Sequence, residues 1–422
     1  MMSTTKKEFE DMRTVAIVGG GAAGMMAAIV AAEAGASVYL FERNNRTGKK
    51  LRITGKGRCN LTNDCDRNTF LSNVPSNPRF LYAALTRFGT DDTKSFFEEL
   101  GVPLKTERGN RVFPVSDKAG DVVDALNRKC RQLGVQTVFR RVQGLIYEDG
   151  AVCGVRTSDG VYRADAVILC TGGKSYPMTG SDGDGYRFAE AMGHTITELH
   201  PSLVPLVAEG KLCASMQGLS LRNVSLRIKQ ADSGKTVYED FGEMLFTHYG
   251  ITGPLVLSAS AHLSDIKPGK YVAHIDLKPA LDEKTLDLRL RADFAKYQNK
   301  DFANAMNDLL PQKMIEPFVR LSGIDPHKKV NSITREEREL LVRLFKDIAV
   351  PLKGFRPIDE AIITRGGVSV KEIDPKTMKS KLVEGLYFAG EIIDVDAYTG
   401  GFNLQIAFST AVVAGQSAAE EY

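Results

Sequence analysis

The sequence predicts an α/β chain: a domain built on a parallel sheet, split by a long insert of different character. Three observations carry that expectation. Near the start, the β-branched run Thr14–Val18 ends on a glycine-rich turn and enters a helix of small apolar residues. From about residue 358, short apolar runs again stop at glycines, in the style of residues 1–195. Between them, residues 196–357 mix strand-like and helical pieces and never repeat the first turn. A chain of 422 residues also exceeds one ordinary core, so two or three domains are expected.

The first turn sets the chemistry. Gly19, Gly21 and Gly24 fit G-x-G-x-x-G. The first glycine makes the tight turn, the second lets a pyrophosphate approach the backbone, and the third lets helix and strand pack closely. Ala22 and Ala23 open the helix, whose free amides and positive dipole end suit phosphates. A second strand, Ser37–Phe41, ends at Glu42, roughly 20 residues beyond the loop, where an acid binds the ribose hydroxyls. Spacing alone would also suit a glycine turn in another α/β fold. The order of strand, loop, helix, strand and acid selects a Rossmann-type, dinucleotide-binding reading. The acid disfavours a 2′-phosphate, which leaves FAD or NAD rather than NADP.

Composition narrows the class. Hydrophobic content of 43%, charged content of 25% and a net charge of +3 describe a soluble globular protein without a basic block for nucleic acid. Met1 to Arg13 is polar, without the apolar core of a secretory signal. No window approaches the roughly 20 apolar residues of a membrane span. A cytoplasmic protein, monomeric or a small homo-oligomer, with no membrane or nucleic-acid partner, is expected. Cys59, Cys65, Cys130, Cys153, Cys170 and Cys213 form no C-x-x-C pair, the usage of a reducing compartment. His and Cys nowhere cluster at metal spacing, so no metal site is expected.

After Glu42, residues 43–63 are rich in cations and turn formers. A solvated basic loop would have this composition. Its place in the chain instead suits a segment wrapped over the dinucleotide, with Arg43, Lys50 and Thr54 in reach and Gly55 and Gly57 allowing close approach. Residues 80–100 and 121–133 read as amphipathic helices, and Gly109–Pro114 as a short hairpin. Residues 135–139 are a third strand, with further strands around 144–155 and 160–162. The buried run 164–173 is either a second half-site or the closing strand of the first fold. Gly180–Gly185 reads as a turn capping a helix over 186–192. The insert splits into a β part, about 200–277, and a helical part, about 281–347. Within it, 245–254 is a strand entering a turn, with Pro254 as first residue of a helix. Residues 358–368 and 385–391 are strands, and a helix over 403–414 closes the chain.

Laid out in this way, the chain resembles the two-dinucleotide, glutathione-reductase-type flavoproteins. Within them it is similar to the bacterial FAD-dependent family that includes aminoacetone oxidases and a bile-acid-pathway steroid reductase. The strings that carry the likeness are Gly19–Gly24, Gly55–Asn63, Thr171–Pro177, Thr247–Gly250 and Gly390 to Gln405. The resemblance implies bound FAD and an insert made of a β-barrel and helices. It places Arg58, Cys59 and Asn60 in a cofactor-binding loop, Thr171, Gly172, Gly173 and Tyr176 beside the dinucleotide, and the Val142 backbone at the adenine. Gly390 and Glu391 match the Gly-Asp pair at the ribityl chain, with an acid one methylene longer. Gly401, Phe402, Asn403, Leu404 and Gln405 match the helix start aimed at the flavin pyrimidine.

The resemblance implies an FAD oxidoreductase acting on a small molecule by hydride transfer through non-covalent flavin. An amine or aminoketone oxidase and an enone or ketone reductase fed by NAD(P)H, as a transient electron donor, both fit. His248, before a glycine turn in the insert, is a candidate proton donor or a loop residue bonded to its own turn. Two alternatives differ in class. A flavin disulfide reductase would use Cys59 and Cys65, although that class spaces its pair C-x-x-x-x-C. An FAD-binding protein without turnover would leave the large insert unexplained.

Overall fold

β1 (Thr14–Val18) sits at the centre of a five-stranded sheet in the computed structural model, which describes residues 12–263 and 265–420. The polar start of the chain lies largely outside those residues. β2 (Ser37–Phe41) and β3 (Gln136–Val138) follow on one side of β1; β4 (Ala166–Leu169) and β5 (Leu386–Phe388) follow on the other. Every pairing is parallel. Parallel strands are buried on both faces, which is why β1 and β4 read as unbroken apolar runs. Residues 164–173 therefore supply the closing strand of the first sheet rather than a second half-site.

Helix α1 (Ala22–Glu33) is small and apolar on all sides because it is enclosed. The C-terminal helix (Phe402–Glu420) crosses it with Gly415 at the contact, where a Cβ would come 2.7 Å from the Ala27 carbonyl oxygen. The sequence suggests a helix ending at 414. The helix runs on because Gly415 is a packing residue there, not a stop.

Two small three-stranded antiparallel sheets and one two-stranded sheet also belong to this unit: Val142–Glu148, Ala151–Thr157 and Gly160–Arg163 form the first, Thr62–Asn63, Leu104–Glu107 and Arg111–Pro114 the second, and His200–Ser202 with Ile363–Arg365 the third. The predicted helix over 80–100 is broken into Pro78–Leu81, Tyr82–Arg87 and Thr90–Glu99. At the break, the Phe88 and Gly89 carbonyls accept from Ser409 Oγ at 2.6 Å and Gln405 Nε2 at 3.0 Å.

The second unit spans 203–357 and the first comprises the rest. Its opening boundary lies later than the sequence suggests, because His200–Ser202 pairs with Ile363–Arg365 of the first unit. Six antiparallel strands close into a barrel in the order Leu206–Ala208, Gly250–Thr252, Thr236–Phe246, Ser220–Gln230, Tyr271–Asp276 and Ile348–Phe355. Two of them are 11 residues long, about twice the apparent apolar runs, because their outward positions are charged. Helices Glu283–Lys296, Gln312–Ser322 and Arg335–Lys346 make a helical part, with Phe318 and Phe345 rings 4.6 Å apart in its core.

Candidate cofactor site

A cleft opens in the first unit where β1 and β4 end, the position at which open parallel sheets take ligands. Its floor is the glycine turn, and each glycine has a distinct reason. A Cβ on Gly19 would lie 2.4 Å from the Cys170 carbonyl oxygen, and one on Gly24 would lie 1.8 Å from the Gly19 carbonyl oxygen. A Cβ on Gly21 would meet nothing within 4 Å. Gly21, at the N-cap of α1, borders the cleft together with Ala22 and Ala23 of its first turn. This arrangement fits a pyrophosphate.

Glu42 is buried at the end of β2. Its carboxylate accepts from the Gly20 amide at 3.0 Å, the Asn44 amide at 2.8 Å and Asn44 Nδ2 at 2.7 Å. Three of roughly four acceptor sites are thereby filled, leaving one on Oε2 for a ribose hydroxyl. Asn44 Nδ2 also donates to the Thr179 carbonyl at 2.9 Å, and Arg43 pairs with Asp182. These bonds bring Thr179 to Asp184 over the Glu42 end of the cleft, where Arg141 joins Asp184 at 2.6 Å and Val142 lines the wall. Burial pushes the Asp182 carboxyl up, but Arg43, the Asp184 amide and Arg141 together outweigh it and hold the group below the usual carboxylate range.

At the opposite end, Lys50 Nζ lies 2.7 Å from Ser175 Oγ and 2.7 Å from Glu391 Oε2. Glu391 Oε1 accepts from Ser175 Oγ at 3.0 Å and from the Thr364 amide at 2.9 Å. The C-terminal helix starts beside them: Asn403 and Leu404 line the cleft, and Asn403 is fixed by both the amide and the carbonyl of Ala397 at 3.0 and 2.7 Å.

Of the residues expected at the cofactor, Gly19, Gly21, Ala22, Ala23, Glu42, Arg43, Lys50, Thr54, Val142, Thr171, Gly172, Gly390, Glu391, Asn403 and Leu404 line this cleft. Others stand behind it. Gly24 lies inside α1, and Gly173 packs against Thr364 and Glu391, where a Cβ would be 2.5 Å from Thr364 Oγ1. Gly55 and Gly57 adopt left-handed conformations in a tight turn, and Arg58 is drawn to Glu107 and Asp117 and over the Phe113 ring. Asn60 is buried with Oδ1 lacking a partner among the described residues. Tyr176 is a left-handed residue leading into the turn Pro177–Thr179. Gly401 abuts the Thr62 carbonyl at 2.3 Å from an added Cβ. Phe402 stacks edge-on with Phe70, and Gln405 is wholly buried, accepting from Thr62 Oγ1 at 2.6 Å.

Cys59 is fully buried and burial pushes its thiol up; Cys65 is pushed up to about 11 by burial and by Asp66 and Asp64. Redox cysteines need a lowered, accessible thiol, so this pair does not suit disulfide exchange. His248 lies in the second unit, exposed, on a loop closed by Thr247 and Gly250, with its ring edge-on to Tyr249 at 4.9 Å. No group of His, Cys, Asp and Glu that could hold a metal occurs among the described residues, and none of their helices is long and apolar enough to cross a membrane.

The lining residues that the sequence did not single out are chiefly Arg140, Arg141, Asp182, Asp184, Ile362 and Ile363. The two acids lie in the string Gly180–Gly185, which in sequence reads as a turn opening a helix.

A profile of the HI0933-like protein Rossmann domain matches residues 13–417. The chain belongs to this FAD-dependent Rossmann family. As a member of the HI0933-like family it is an FAD-dependent oxidoreductase. It is 33% identical over 416 residues to the 3-dehydro-bile acid delta(4,6)-reductase of Clostridium scindens, covering 97% of this chain and all of that one. It is 30% identical over 401 residues to the ribosomal RNA dihydrouridine synthase of Escherichia coli, covering 95% and 96%. Among solved structures, the 3-ketosteroid-delta4-(5alpha)-dehydrogenase of Rhodococcus jostii shares the fold at a TM-score of 0.52 and 18% identity, with 97% of this chain and 98% of that one covered.

Proposed function

We propose that this protein is a reductase that uses FAD, held in the cleft of the first unit, to saturate a carbon–carbon double bond conjugated to a carbonyl. The observation that carries the reading is the pair of relatives matched along nearly their whole length. Read as chemistry, delta(4,6) reduction of a 3-keto steroid and dihydrouridine formation both add two hydrogens to such a bond. An amine or aminoketone oxidase has no counterpart in those two names.

Bound flavin supplies the hydride. The chain's residues would bind and orient it: the Gly21 turn at the pyrophosphate, Glu42 at the ribose, and Lys50, Asn403 and Leu404 at the flavin end. NAD(P)H is the proposed electron donor, bound transiently. His248 is the proposed proton donor to the carbon beside the carbonyl, completing the reduction.

The test is anaerobic. Protein reduced by NADH or NADPH should be reoxidised by a conjugated enone such as a 3-keto-4-ene steroid, with loss of the enone absorbance. Reoxidation by uracil-containing RNA and not by enones would move the substrate to nucleic acid. Reduction of the flavin by amines, and not by nicotinamides, would overturn the reading in favour of an oxidase.

A further inference from the structure

The wall of the cleft away from Glu42 carries an ion pair, Lys50 with Glu391, whose side chains are 25% and 20% exposed. Its surroundings are built from four separate segments. Ser175, wholly buried, bridges both partners. The Thr364 backbone donates to Glu391 at 2.9 Å while the Thr364 hydroxyl accepts from the Lys174 amide at 2.8 Å. Gly173 is the only residue type that fits beside them, since its Cβ would sit 2.5 Å from Thr364 Oγ1 and 3.0 Å from Glu391 Oε1.

Two consequences follow from counting bonds. Glu391 accepts three hydrogen bonds from this network, one of them from the Lys50 ammonium, so its carboxylate holds Lys50 in place. Lys50 has three N–H groups and uses two on Ser175 and Glu391. Lys50 also borders the cleft, so the third is free to face what the cleft holds. Withdrawing an ion pair from water costs more than an apolar pair of the same shape. Stability alone does not account for placing one in a ligand cleft, whereas a cation held at a redox cofactor stabilises its reduced, more negative form.

We infer that Lys50 is a fixed positive charge that sets the reduction potential of the flavin, and that Glu391 is its positioning residue. This rests on the reading that the cleft of the first unit holds FAD with its flavin end away from Glu42.

The experiment measures the two-electron midpoint potential of FAD-loaded Lys50→Met, Lys50→Arg and Glu391→Gln by anaerobic dye-equilibrium titration, with FAD affinity measured by titrating apo-protein. Lys50→Met should shift the equilibrium against reduced flavin by about tenfold, which is about 30 mV more negative for a two-electron couple. Lys50→Arg should stay near the parent. Glu391→Gln, which removes the opposite charge, should move the potential the other way. A merely structural role would instead lower FAD affinity in both variants and leave both potentials alone, and that result overturns the inference. If Lys50→Met does not retain FAD, Glu391→Gln decides alone, an unchanged potential again overturning it. Glu42→Ala separates the two levels. Should it weaken FAD binding while Lys50→Met keeps the parent potential, only the role of Lys50 falls. Should Glu42→Ala and Lys50→Met both leave affinity and potential unchanged, FAD is not bound in this cleft and both fall.

Discussion

The Gly20 amide donates to Glu42 Oε2 at 3.0 Å, so the glycine turn and the acid 22 residues later are parts of one device. The carboxylate shapes the turn proposed to meet the pyrophosphate, and one of its acceptor sites remains for the proposed ribose contact.

Glu42→Ala should therefore weaken FAD binding about tenfold to a hundredfold, since hydrogen bonds to a charged group are worth roughly 1.5–3 kcal/mol. Glu42→Gln, which can still accept from Gly20, should lose less. Titration of apo-protein with FAD measures both. Affinity unchanged in Glu42→Ala would place the ribose elsewhere.

Gly21 and Gly24 belong to one motif, yet their substitutions should fail differently. Gly24→Ala puts a methyl 1.8 Å from the Gly19 carbonyl oxygen and should cost about 1–3 kcal/mol or more of stability. Gly21→Ala has room on the protein side and intrudes only on the cleft. It should keep its urea midpoint and lose FAD affinity by about tenfold or more. Equal loss of stability in the two variants would contradict the separate roles.

Much of this was legible because the signals are local. The turn at Gly19–Gly24, Glu42 and the Gly390–Glu391 pair are each set by a few consecutive residues. The Lys50–Ser175–Glu391 network was not legible: its members are 125 and 341 residues apart in the chain, and no spacing rule joins them. The sequence suggests a closing helix that stops at 414, before Gly415, because a glycine that makes room for Ala27 looks in sequence like a glycine that ends a helix. The break at Phe88 was hidden because the groups that satisfy its carbonyls, on Gln405 and Ser409, come from the far end of the chain. The full length of the two long barrel strands is masked in the sequence by charged residues among their apolar ones.

Asp396 offers a prediction in pH. It is almost fully buried and accepts from Ser202 Oγ at 2.9 Å, with Ser76, Arg365 and Asp394 nearby. Burial raises its carboxyl above the ordinary range, only partly offset by the serines and Arg365. The folded form thus holds the proton more tightly than the unfolded chain. Its contribution to stability is present below the ordinary Asp value of about 3.9 and is lost as pH rises through the raised folded value. Asp396→Asn removes that loss. The difference in melting temperature, variant minus parent, should grow more positive between pH 4 and pH 8, measured by calorimetry. A flat difference would mean that the carboxyl is not shifted upward.

His248→Gln should slow reoxidation of reduced protein by an enone by about a hundredfold, the low end for general acid catalysts, with FAD content unchanged. Stopped-flow absorbance reads it. Full speed in the variant removes His248 from the reaction, and a parallel loss of FAD makes it structural.

The most direct test of the central claim is the structure of the FAD-loaded protein. The adenosine should lie at Glu42 and Val142, the pyrophosphate at Gly21 and the first turn of α1, and the flavin ring within reach of Lys50 and the start of the C-terminal helix. Density for FAD in any other place, or in this cleft with its flavin beside Glu42, would contradict it.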